Sequence, residues 1–259
     1  MLRRMMRCSG LAIFIVFASL NAAYAQRTAE LSDEQVKERL SFVENALHSA
    51  QPRAQTWWYG WIAGYSAGAI VQGSLAKAHW NDVKVDENSP NAQPVRDRGF
   101  AEDMLVGGVT AALGAGGLLI NPFVPAYSPD KLRLMAEGTP EERRIKLLKA
   151  EEILRHCAQR EKEGRGWVTH LLNIGVNAAA GLMTVFAFDR PWSDGLITFA
   201  TSEAVSLLNI YTQPRRAIRD LKNYEVTYLG RQEAYIKETP DRKWYLNIYP
   251  GGFSVGMRF

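Results

Sequence analysis

Four stretches of small and apolar residues constrain this 259-residue chain more than anything else in it: about 57–76, 100–120, 167–188 and 192–211. The first, W-W-Y-G-W-I-A-G-Y-S-A-G-A-I-V-Q-G-S-L-A, holds no charge, and Gly60, Gly64 and Gly68 recur along one helical face. Glycine is a poor helix former in water, but at this spacing it lets two helix backbones approach closely. The second, about Phe100 to Ile120, has the body V-G-G-V-T-A-A-L-G-A-G-G-L-L-I and is stopped by Asn121-Pro122. The third runs from Trp167 to Phe188 without Asp, Glu, Lys or Arg, and the fourth begins at Trp192 or Ser193 and ends before Gln213-Pro214.

Amphipathic helices separate these stretches. Ser32 caps S-D-E-Q with Gln35 at the reciprocal position, and Val36, Leu40, Val43 and Leu47 follow at helical spacing. Pro52 is expected to end or bend this first helix. Residues of about 80–98 are polar and read as a long loop. The proline-rich segment N-P-F-V-P-A-Y-S-P reads as turns. Thr139-Pro140-Glu141-Glu142 then starts a helix that runs to about Glu163, where Gly164-Arg165-Gly166 breaks the chain. A basic helical stretch, R-R-A-I-R-D-L-K-N-Y, follows Pro214. At the end, Tyr245–Tyr249 and Phe253–Phe259 flank Pro250-Gly251-Gly252 in the alternation of a β-hairpin.

The order of elements repeats: amphipathic helix, break, Trp-led uncharged helix, turn, apolar helix, x-Pro stop. The expected fold is therefore all-α, built from internally duplicated three-helix units with Gly/Ala-packed helices, plus a short C-terminal β-hairpin. Repeat A covers 32–122 and repeat B covers 139–214, joined by a linker at 123–138. Together they lie in one helical domain of residues 26–244, with the hairpin at 245–259. Phe100-Ala-Glu-Asp-Met-Leu matches Trp192-Ser-Asp-Gly-Leu-Ile at the offset that also superposes Asn121-Pro122 on Gln213-Pro214.

Residues 1–25 have the build of a secretory signal peptide. Arg3, Arg4 and Arg7 precede the short apolar run Leu11–Ala18, and Ala23-Tyr24-Ala25 offers a cleavage site before Gln26. Export to the periplasm or cell envelope is the expected destination. Of the net charge of +4, three units stand in that leader, so the remainder carries no basic excess for nucleic acid. Removal of the leader leaves Cys157 as the single cysteine, which excludes an intrachain disulfide and points to a buried thiol.

The four apolar stretches fit either a bilayer or a core. Their apolarity is thin, Asp194 and Glu203 interrupt the fourth, and residues 131–165 carry ten Lys or Arg on what export would make the outer side. That reverses the usual placement of positive loops. The expectation is a soluble or peripheral domain with buried small-residue helices, and integral helices are the alternative. The ending F-S-V-G-M-R-F resembles the last strand of outer-membrane β-barrels. The chain lacks the succession of alternating strands that a barrel requires.

No metalloprotease, nucleophile-elbow, paired-cysteine or phosphate-loop motif is present. Glu44/His48 and Glu152/His156 each share a helical face and could together supply N and O ligands to a metal, or form ordinary surface pairs. Cys157 beside His156 lacks the geometry of a nucleophile and its base. Glu203, Asn173, Asn177 and Asn209 must find partners if buried. No catalytic, cofactor or metal residue is assigned on these grounds. The expected role is non-enzymatic: structure, binding or assembly in the cell envelope, with an envelope protein or membrane surface as partner. Tyr245, Tyr249 and Phe253 would then offer an aromatic contact. The alternative is a carrier of a small apolar or lipid ligand, in a cavity between the halves lined by Trp58, Trp61, Leu171 and Ile174.

Overall fold

A computed structural model describes residues 31–84, 95–230, 243–249 and 252–258. The expected leader, residues 1–25, and the turn at residues 250–251 lie outside the described residues. The chain is mostly helical and divides into two compact units, Met1–Leu221 and Lys222–Phe259.

In the first unit α1 spans Asp33–His79, β1 Val83–Lys84, β2 Val95–Arg96 and α2 Gly99–Ile120. A 3-10 turn at Val124–Ala126 and a short α3 at Ser128–Arg133 lead to α4, Pro140–Glu163. Two more helices follow, α5 at Trp167–Phe186 and α6 at Trp192–Thr212, and α7, Arg216–Leu229, begins in this unit. The second unit contains β3, Lys243–Tyr249, and β4, Gly252–Arg258, whose backbones pair antiparallel from Lys243 opposite Arg258 to Tyr249 opposite Gly252.

Both capping boxes form. Ser32 accepts from the Gln35 backbone and Gln35 reaches back, and Thr139 and Glu142 do the same. Each satisfies two of the donors that a helix start leaves without partners. The first half of α1 then buries Val36, Leu40, Val43, Leu47 and Ala50 against Leu147, Ala150, Ile153, Leu154 and Cys157 of α4. Arg143 clamps Asp33 with Nε and Nη2 at 2.9 and 2.7 Å, locking the two helix starts together. This amphipathic pair is called the platform below.

Three expectations need correction. Pro52 does not end α1, a helix of 47 residues that runs through it from Asp33 to His79. Proline in a helix interior removes one hydrogen bond and costs about 3 kcal/mol. Here the turns on either side of it are held to one anchor. Gln51 Nε2 donates to the Ala126 carbonyl at 3.3 Å and to Asp130 at 2.8 Å, and Gln55 Nε2 donates to Ala126 at 3.0 Å. Ala54, Trp57 and Trp58 pack on Phe123 and Ala126.

The second correction follows from the first. Residues 32–122 contain one long helix where 139–214 contain two, separated at Gly164–Gly166, so the two matching three-helix units are not found in that form. The polar loop of 80–98 also carries a two-residue ladder, with Val83 opposite Arg96 and Lys84 opposite Val95.

The third correction concerns burial. The second half of α1 pairs antiparallel with α2: Tyr65 meets Gly114, Gly68 meets Ala111 and Gln72 meets Gly107. Likewise α5 pairs antiparallel with α6, where Gly181 and Gly195 touch backbone to backbone. Gly68, Gly107, Gly108, Gly114, Gly181 and Gly195 thus sit between the partners of each pair, whereas Gly60 and Gly64 of the expected glycine stripe are exposed with nothing within 4 Å of a Cβ, and many large apolar side chains face outward. Ile70 is 70% exposed, Leu172 65% and Ile197 62%. The small-residue helices are paired but not buried.

Candidate membrane-facing surface

Two helices among the described residues, Gly99–Ile120 and Trp167–Phe186, are long and apolar enough to cross a bilayer. Only 17% and 28% of their apolar windows are buried, where a core helix of a water-soluble domain would be mostly covered. The neighbouring helices continue the surface with Ile70 and Val71 on α1 and Leu196, Ile197, Val205 and Leu208 on α6. An exposed apolar area running over four helices far exceeds the scattered residues normal on a soluble protein.

Aromatic side chains mark both ends of this surface. At the platform end stand Trp57, Trp58, Trp61, Trp167 and Tyr211. At the far end stand Trp80, Phe100, Phe186 and Trp192. At 1.5 Å per helical residue, Trp57 to Trp80 spans ~35 Å, and Trp167 to Phe186 and Trp192 to Tyr211 each span ~28 Å, close to a hydrocarbon thickness of ~30 Å. The tryptophans are positioned by their N–H groups. Trp57 donates to Thr212 Oγ1 at 3.2 Å, Trp61 donates to the same hydroxyl at 3.1 Å, and Trp58 donates to the Leu118 carbonyl at 3.1 Å. At the far end Phe186 and Trp192 meet edge to face.

One set of polar residues within the apolar helices is paired across them. Asn177 is buried and donates to Glu203 at 2.7 Å and to Ser206 Oγ at 3.0 Å, tying α5 to α6 midway along both. Asn209 accepts from Trp57 only through its backbone carbonyl, at 3.3 Å, and its Nδ2 is buried without a hydrogen-bond partner among the described residues. Asn173 is half-buried on α5. At the far end Arg190 joins three elements. It donates to Asp194 at 2.8 Å, to the Gly99 carbonyl at 3.0 Å and to Asp103 at 3.4 Å, so the α5–α6 turn is fastened to the start of α2. That turn uses Asp189 in a left-handed conformation with φ of 52°.

The Glu/His pairs do not converge. Glu44 pairs with Lys146 at 2.7 Å, and His48 meets Arg133 at 2.5 Å. Glu152 pairs with Lys149 at 2.8 Å, and His156 lies exposed on α4. No group of three or more metal-ligating side chains assembles among the described residues. Cys157 is fully buried, with Sγ 3.3 Å from Ser128 Oγ, and burial pushes its thiol up to about 12. The thiolate that nucleophilic chemistry needs is thereby disfavoured.

One buried carboxyl escaped the sequence reading. Glu161 on α4 is 1% exposed, and its Oε2 accepts from the backbone N–H of Ile218 at 3.0 Å, capping α7 from a different helix. Burial raises the carboxyl to about 7, against the pull of the Ile218 and Ala217 amides. Its register is the signal: Glu161 shares the helical face of Leu147, Ala150, Leu154 and Cys157, unlike the exposed Glu152 and Glu163.

Two clefts lie away from the apolar surface. One, of about 660 Å³, is lined at the far end by Lys84, Arg96, Arg98, Glu102, Asp103 and Arg190. The other, of about 260 Å³, lies on the platform beside His48 and Arg133. Neither is lined by Trp58, Trp61, Leu171 or Ile174, and the last two face outward. No family model matches the chain, and neither a curated protein nor a solved structure matches it.

Proposed function

We propose that this chain is an integral membrane protein of the cell envelope with a non-enzymatic role in binding or assembly. Its two apolar helix pairs sit in the bilayer, and they hold the charged platform at the surface, available to an envelope partner. The observation that carries this reading is the continuous outward-facing apolar surface, bounded by aromatic tiers about one bilayer apart. Aromatic residues with polar N–H or O–H groups favour the two interfaces of a membrane. The pairing of Asn177 with Glu203 across two helices fits the same setting, where polar groups must be satisfied within the protein.

Residues 1–25 form part of the reading as an export leader, which places the mature chain in the envelope. A carrier of apolar ligands receives less support, because the residues chosen to line its cavity either brace helix ends or face outward. The test is alkaline carbonate washing of membranes from cells making the full chain. Retention of the protein with the lipid is expected. Release into the supernatant would overturn the integral reading and return the chain to a peripheral role.

A further inference from the structure

The two ends of the apolar surface differ in charge. At the far end carboxylates meet most of the bases, Lys84 with Asp97, His79 with Asp82, and Arg190 with Glu102, Asp103 and Asp194, while Arg98 lies over the Trp80 ring and Arg96 makes no described ion pair. At the platform end basic side chains gather beside the aromatic tier. Arg165 donates through Nη2 to the carbonyls of Tyr211 at 2.8 Å and Gln213 at 2.7 Å, which places its guanidinium at the C-terminal end of α6. Arg216 donates to the Ser49 carbonyl at 3.2 Å, and Arg53 follows Ser49 by one helical turn on the same face of α1. Trp57 and Trp61 both reach Thr212 at this corner.

The acids here answer only part of that charge. Asp220 pairs with Arg216 at 3.2 Å, and Glu161 is committed to capping α7. Among the described residues Arg53 and Arg215 have no carboxylate partner, and both are exposed. Burial and, after it, the charge of Arg215 disfavour the Arg165 cation, against the opposing pull of Glu161 and Tyr211, which sets Arg215 near Arg165. Like charges drawn together beside a membrane-facing aromatic tier leave an unfilled demand for an anion.

We propose that Arg53, Arg165, Arg215 and Arg216, set beside Trp57, Trp61 and Tyr211, form a docking site for the phosphate of an anionic phospholipid headgroup. The inference rests on the membrane reading above. Guanidinium groups bind phosphate through paired N–H donors, and basic groups near a bilayer end are attracted to anionic lipid. Tyr211, 65% exposed beside Arg165, continues the site into the interfacial layer where a headgroup lies.

The test reconstitutes the full chain in phosphatidylcholine vesicles containing trace spin-labelled phosphatidylglycerol or spin-labelled phosphatidylcholine, and measures the motionally restricted fraction of each. Carbonate-resistant retention in pure phosphatidylcholine checks the membrane reading separately, and failure there would sink that reading. The inference predicts selectivity for the anionic label that falls by about fivefold or more in R53Q/R215Q. It predicts a smaller loss in R53K/R215K, which keeps the charge but not the paired donors, and no change in R96Q, which lies at the far end. Arg53 and Arg215 make no described ion pair, so the double variant should retain its fold, as circular dichroism would verify. Equal restriction of both lipids, or selectivity unchanged in R53Q/R215Q, would overturn the proposal. So would displacement of the lipid by an equal concentration of inorganic phosphate, which would identify a simple anion pocket.

Discussion

Glu161 has almost no contact with water, yet it accepts a hydrogen bond from an amide at the start of α7, where the helix dipole favours negative charge. Burial prevails over that attraction, and the carboxyl moves from 4.5 to about 7. A proton is therefore held more tightly in the folded chain than in the unfolded one. The corresponding stabilisation is fully present below pH 4.5 and is lost as the pH rises through 7, with a total of about 3 kcal/mol for a shift of this size. Thermal unfolding of the purified chain should show a midpoint that falls between about pH 5 and 7.5. Glu161→Gln, which stays neutral and keeps an acceptor oxygen, should flatten that slope. An unchanged slope in the variant would show that Glu161 does not govern it. Helical register marks this residue: at i+4 from Cys157 and i+7 from Leu154 it lies on the buried stripe of α4, whereas Glu152 and Glu163 lie on the exposed face. Its role exists only because Gly164-Arg165-Gly166 and Gln213-Pro214 bring α7 back onto the end of α4.

At the scale of elements, glycines along one apolar helix play different parts, and the difference is measurable. A Cβ at Gly181 would lie 2.5 Å from the Gly195 carbonyl oxygen, and one at Gly195 would lie 2.7 Å from that of Gly181. Backbone cannot step aside without separating α5 from α6. By contrast, a Cβ at Gly175 of the same helix meets nothing within 4 Å. Gly181→Ala should lower stability by ~1–3 kcal/mol, the range for forcing extra volume into a packed contact, while Gly175→Ala should be neutral or stabilising. Midpoints from thermal unfolding in detergent would decide this, and equal effects at the two sites would refute the close α5–α6 contact. The sequence made the helices and most of their ends legible: the caps at Ser32 and Thr139, the stops at Asn121-Pro122 and Gln213-Pro214, and the break at Gly164–Gly166 are local signals. Pro52 misled because its effect is decided by distant partners, Ala126 and Asp130, which hold the helix on both sides of it. The expected burial of the small-residue helices failed for a related reason. Gly and Ala spacing reports that a face is in close contact, but one partner helix satisfies that face and leaves the rest of the circumference open.

For the whole molecule, two signals in the chain set opposite orientations. Under the proposed function, an export leader removed on the outer side would leave Gln26 and hence the platform outside, because α1 and α2 would cross and return, as would α5 and α6. The concentration of Lys and Arg in residues 131–165 would by itself favour the platform inside. Much of that charge is already engaged. Lys146 is held between Glu44 and Glu137, Arg143 is held by Asp33, and Arg155 is paired with Glu151. Arg160 and Arg165 donate to the carbonyl ends of the segments after α2 and α6. Charges folded into the platform in this way are a weaker retention signal than a free polybasic loop, so the leader should decide the orientation. Labelling from one side tests it. Cys157 is buried, so Glu141→Cys on the exposed start of α4 would provide the only accessible thiol in a chain without its leader. A membrane-impermeant maleimide added to intact spheroplasts should label that variant as fully as after lysis. Labelling that appears only after lysis would place the platform on the inner side and would remove the leader from the proposed function. The headgroup site would survive that result, because its arginines and aromatic tier lie at the platform end whichever way the molecule faces.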